Sequence, residues 1–63
     1  MKTKLRELRK SRNMTQAELA EISGVHLHTI SKIECELQKN IFLGTLQKLA
    51  HGLDVTVKEI IGR

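Results

Sequence analysis

His26, His28, Ser31, Lys32 and Cys35 fall within a ten-residue stretch, and side chains of these types could do three kinds of chemistry. They could hold a metal ion, activate a hydroxyl as a nucleophile, or present hydrogen-bonding groups to another surface. Helical spacing sorts these options, because residues three or four apart share a face and residues two apart do not. His26 and His28 therefore diverge. Only His28 and Cys35 share a side, which is too few ligands for zinc. Ser31 with His28 has the spacing of a nucleophile and its base, but no third orienting group or pair of oxyanion donors accompanies them. A chain of 63 residues also leaves little room for a substrate cleft. No metal, cofactor, small-molecule substrate or catalysis is expected. Cys35 has no second cysteine to resolve it and reads as a plain thiol.

The third option survives. With Ile30 and Ile33 turned to a core, the opposite side of the helix carries Leu27 with Ser31, and His28 with Lys32 and Cys35. A helix raised on a small scaffold, polar on its outer side, fits the major groove of DNA. His28 and Lys32 are candidate readers of base edges, and Leu27 could pack on a thymine methyl. His26 and Thr29 are candidates for phosphate, which positions a protein without reading sequence. Ser31, together with Lys39 and Asn40 in the following loop, completes the candidate DNA-binding set.

Such side chains need elements to hold them. Leu5 and Leu8 predict a first helix over roughly residues 3 to 12, ending at Asn13. Thr15 and Glu18 form a capping box that opens a second helix, with Leu19, Ala20 and Ile22 inward and a stop before Gly24. Ala20 is small enough to let the third helix, from about residue 26 to 35, cross closely. Val25, Ile30, Ile33 and Leu37 are expected toward the core. Residues 36 to 42 lack periodicity and read as a loop. Leu43, Leu46, Leu49, Ala50 and Leu53 predict a fourth helix closed by Gly52. Thr56 and Glu59 form a second capping box, opening a fifth helix with Val57, Ile60 and Ile61 inward and Gly62 at its end. Without proline or an alternating strand pattern, the expectation is an all-α bundle.

Composition narrows the partners. One cysteine excludes an internal disulfide, so packed aliphatic side chains or a second subunit must supply stability. A single Phe, with no Trp or Tyr, is too few rings for proteins that stack single-stranded bases. No membrane span or leader is expected, and the cytoplasm is the expected location. The net charge of +4 is uneven: Lys2, Lys4, Arg6, Arg9, Lys10 and Arg12 all precede residue 13, with Glu7 the only acid among them. Such a cluster can draw a protein toward phosphate.

The run Thr15-Gln16-Ala17-Glu18-Leu19-Ala20, then Gly24-Val25, then Thr29-Ile30-Ser31-Lys32-Ile33-Glu34, resembles the phage Cro and C1 repressor type of helix-turn-helix domain. The resemblance covers nearly the whole chain and implies a five-helix, lambda-repressor-like fold. It implies a homodimer on a near-palindromic operator, Gln16 bonding a phosphate, and Arg9 pairing with Glu34 behind the recognition surface. The chain departs from the pattern at His26, where a small capping residue is usual, and at Leu27, where a long polar reader is common. Cys35 and Glu36 replace a usual Gly, and Ile41 and Phe42 stand where Pro is common.

The expectation is one DNA-binding domain over residues 1–63, with no sensing domain after the fifth helix. It would regulate transcription, as a repressor that occupies promoter double-stranded DNA. Phage repressors, restriction-modification controllers and antitoxins are all compatible. A protein-interaction module, with a protein partner and DNA contact secondary, is the other reading. Ile41, Phe42 and Val55 either complete the core or bury themselves between two subunits.

Overall fold

The computed structural model describes residues 3–37 and 40–62. Among them the chain forms five helices and no strand: α1 Leu5–Ser11, α2 Gln16–Ser23, α3 Leu27–Glu34, α4 Leu43–Leu53 and α5 Val57–Ile61. The all-α architecture expected from periodicity is what forms.

Two helix starts follow from the anticipated capping boxes. The Glu18 amide donates to Thr15 Oγ1 at 3.1 Å, and the Thr15 amide donates to Glu18 Oε1 at 2.9 Å. The same exchange opens α5 between Thr56 and Glu59. Each box satisfies two amides that the first helical turn leaves without partners.

The helix ends divide into two kinds. Gly24 (φ 74°) and Gly62 (φ 81°) close α2 and α5 in the left-handed region, each amide donating to the carbonyl four residues back. The other three helices end on left-handed residues that are not glycine: Asn13 (φ 54°), Glu36 (φ 60°) and Asp54 (φ 56°). After each, the next amide reaches back five residues, as in Met14 to Arg9, Leu37 to Lys32 and Val55 to Ala50. This is the Schellman pattern. Asn and Asp tolerate the conformation well, whereas Glu36 sits where glycine would be less strained.

Gly52 therefore does not close α4, contrary to expectation; the helix runs to Leu53 and Asp54 closes it. Gly52 lies where α4 crosses α2, and a Cβ there would stand 3.0 Å from Ser23 Cβ and 3.2 Å from Ser23 Cα. The missing side chain is what lets the two helices touch. Gly52→Ala should thus destabilise the fold by about 1 kcal/mol, the clash outweighing alanine's better helix propensity. Urea unfolding would check this, and a stabilised variant would mean that α2 and α4 part without cost.

The core gathers Leu5 from α1, Leu19 from α2, Val25 from the turn, Ile30 and Ile33 from α3, Leu46, Leu49, Ala50 and Leu53 from α4, and Ile60 from α5. Ala20, Ile41, Val55, Val57 and Ile61 pack around it, half-buried. The amide of Lys4 donates to the Ile60 carbonyl at 2.7 Å and fastens α5 to the start of α1. Two expected core residues, Ile22 and Leu37, lie outside it, as does Leu43 at the start of α4. Ile22 is exposed at the rim of the α2–α4 crossing, and Leu43 precedes the turn of α4 that reaches the core. Leu37 follows the left-handed Glu36, which turns the chain away from the axis of α3, and it is exposed as well.

Candidate nucleic-acid interface

α2 and α3 meet through Gly24, which reverses the chain, and Val25, which is buried beneath the turn. The Ser23 hydroxyl donates to the Leu19 carbonyl at 2.6 Å and accepts from the Val25 amide at 3.2 Å, bracing that reversal. Ile30 and Ile33 then seal one side of α3 against the core, with essentially no exposure. The opposite side must face outward.

On that side, Gln16, His26, Leu27, His28 and Ser31 line one open depression. Five of the candidate residues from two helices thus come together. Lys32 is exposed one turn beyond His28, while Thr29 and Ser31 are half-buried. Asn40 is exposed in the loop before α4, and Lys39 lies outside the described residues. His26 is the N-cap of α3, but its side chain makes no capping hydrogen bond. The first amides of α3 accordingly have no side-chain cap, an arrangement suited to an anion such as phosphate. Lys4, Arg6, Lys10 and Arg12 are exposed on or beside α1.

Behind the outer side of α3 lies a charged network. Arg9 Nε donates to Glu34 Oε2 at 2.7 Å, and Arg9 Nη2 donates to Glu34 Oε1 at 3.0 Å. The Arg9 side chain is 10% exposed and that of Glu34 3%. The third donor, Arg9 Nη1, binds the Met14 carbonyl, so one guanidinium ties α1, the turn before α2, and the end of α3 together. Gln16 Nε2 also donates to Glu34 Oε1, at 3.1 Å. Gln16, assigned by resemblance to phosphate, is therefore held from behind by a carboxylate. That link was not legible beforehand, because residues 16 and 34 meet only through the crossing of α2 and α3.

The network shifts its own ionisation. Burial pushes the Glu34 carboxyl up, but hydrogen bonds from Arg9 and Gln16, with the charges of Arg9 and Arg6, outweigh it and hold the group below its ordinary value. The hydrogen bond to Glu34 raises the Arg9 guanidinium in turn, against the effect of burial. At Glu18 the Thr15 backbone and side chain lower the carboxyl. A carboxylate depressed in the folded state contributes stability that is intact above its unfolded value, roughly pH 4.3, and is lost as the pH falls through the folded value. Stability should therefore hold against these groups from neutral pH to roughly pH 5 and fall below it. Glu34→Gln should flatten that acid limb; an unchanged limb in urea titrations would remove Glu34 from the account.

Some nearby features lead elsewhere. Among the described residues no group of three or more His, Cys, Asp or Glu side chains could hold a metal. Among the same residues no helix is long and apolar enough to cross a membrane. A second open depression, between α1 and α5, is lined by Lys4, Leu8, Thr56 and Glu59 among others, and its Thr56–Glu59 pair is committed to the capping box.

Two short helices joined at a left-handed glycine, the second sealed on its apolar side and polar outside, define a DNA-binding regulator of the helix-turn-helix class. Comparison with known proteins agrees. The helix-turn-helix family model matches residues 5–60. Control protein C.SmaI of Serratia marcescens is 37% identical over 59 residues, covering 94% of this chain and 69% of that protein. No solved structure matches. The chain belongs to the helix-turn-helix family of the Cro and C1 type, whose members are DNA-binding transcriptional regulators and not enzymes.

Proposed function

We propose that the chain acts in the cytoplasm as a repressor, binding as a homodimer to a near-palindromic operator, with residues 1–63 as one DNA-binding unit. The observation that supports this best is the depression at the start of α3, where Gln16, His26, Leu27, His28 and Ser31 converge on the outer side of the helix. His28 and Lys32 take base edges. Gln16, His26, Thr29, Ser31, Lys39 and Asn40 take phosphate or sugar, which sets register. The exposed bases along α1 add a long-range attraction that salt weakens. Among phage repressors, restriction-modification controllers and antitoxins, the likeness to a protein named as a control protein favours a controller.

Selection of bound fragments from a random duplex pool tests this reading. An inverted repeat is expected, its half-sites about one helical turn apart, roughly 34–36 Å. Recovery of unrelated sequences in dilute salt would overturn it.

The dimer rests on the apolar residues around the α3–α4 loop. Phe42 is 82% exposed and Leu43 60%, whereas Ile41 and Val55 are half-buried against the core. Of the three residues with two possible roles, only Phe42 is free to meet a second subunit; Leu37 and Leu43 are exposed as well. A symmetric pair doubles the DNA contact. The same exposed apolar side chains favour the second reading, a surface for a protein partner. Sedimentation discriminates: a dimer at micromolar concentration that Phe42→Ser abolishes supports the first reading, and a monomer at all concentrations leaves those side chains to a partner.

A further inference from the structure

We propose that Leu27 is a specificity-determining residue that reads the C5-methyl group of a pyrimidine in the major groove, where a hydrogen-bonding reader would otherwise stand. The inference rests on the DNA-binding reading above and names the chemical group which that face recognises.

Leu27 is the first residue of α3 and is 45% exposed. The core has no use for it, because Ile30 and Ile33 already seal the inner side of the helix. Its neighbours in the depression are Gln16, His26, His28 and Ser31, all able to hydrogen-bond. One apolar side chain thus stands among polar ones, at the end of the helix that comes nearest the base pairs in this class of fold.

The groove offers such a side chain a single kind of match. Every base edge there consists of donors and acceptors except at thymine, which adds a methyl at C5. Pressed against guanine, adenine or bare cytosine, a leucine would strip water from polar atoms and return no hydrogen bond. Against a methyl, both apolar surfaces leave water together. 5-Methylcytosine presents the same group at the same ring position, so base identity and methylation state are read by one contact.

The test uses the full chain and the duplex selected from the random pool, with affinities measured by fluorescence anisotropy. Each thymine is replaced in turn by uracil, which deletes only the methyl. The expected result is a loss of roughly four-fold per half-site at one position, the worth of one buried carbon. In Leu27→Ala, whose circular dichroism should match the parent because the side chain is outside the core, that loss should vanish. If the position opposite Leu27 is instead a C·G pair, methylation at C5 should raise affinity by a similar factor in the parent and not in the variant, which assigns 5-methylcytosine as the source. An absence of any uracil or methylation effect, or an equal effect in Leu27→Ala, overturns the proposal while preference for the selected duplex keeps the DNA-binding reading. Failure to bind any duplex would remove both.

Discussion

Glu34→Ala should cost about 3–5 kcal/mol, enough to unfold most of the protein at 25 °C, because it leaves the Arg9 guanidinium buried without its carboxylate. A chain of this size has little stability in reserve. The loss is not confined to one bond. Arg9 spends two donors on Glu34 and one on the Met14 carbonyl, and Gln16 donates to the same carboxylate. Replacing both charges with apolar residues of similar volume, as in Arg9→Met with Glu34→Leu, should recover most of the loss, since no uncompensated charge remains. Urea unfolding followed by circular dichroism measures both variants. A Glu34→Ala protein within about 1 kcal/mol of the parent would mean that solvent reaches the pair and that it is worth no more than a surface ion pair. The double variant also separates stability from function: it should fold yet bind DNA less well, because nothing then holds Gln16 from behind.

His28→Ala and Lys32→Ala should each weaken binding to the selected duplex by about 1–3 kcal/mol, with a much smaller effect on a scrambled one. The two residues stand one turn apart on the exposed side of α3, where each can reach a base edge. Gln16→Ala should behave differently, lowering affinity for both duplexes by a similar factor, as removal of a phosphate contact does. Because Gln16 also serves Glu34, its variant needs a stability measurement alongside, and binding is compared well below the unfolding transition. Should His28→Ala and Lys32→Ala lower affinity for cognate and scrambled duplexes in parallel, neither residue reads sequence. The readers would then have to be sought among Leu27, Ser31 and the loop that bears Asn40.

Much of this molecule is local, and what is local was legible. The capping boxes at Thr15 and Thr56 involve residues three apart, so the sequence names both partners, and the glycine ends at Gly24 and Gly62 follow from a backbone rule about one residue. The side of α3 that carries Ile30 and Ile33 is a consequence of periodicity alone, and with it the outward set His28, Ser31 and Lys32. What failed was nonlocal or depended on less usual residues. Gly52 was misread as a helix end because its role is a crossing with Ser23, 29 positions earlier in the chain. Glu36 and Asp54 end helices where a glycine rule finds nothing, whereas Asn13 ends α1 as the sequence indicates. The inward placement of Ile22 and Leu37 failed because an apolar side of a helix is buried only where another helix covers it.

From sequence alone came the five helices, the outward side of the third, and the kind of polymer it suits, since each depends on chemistry within a few residues. The packing of α2, α3 and α1 decided that Gln16 and Arg9 share the carboxylate of Glu34, and that Leu27 stands exposed among hydrogen-bonding neighbours. Those facts depend on distances between segments far apart in the chain, and only the balance of core packing sets such distances.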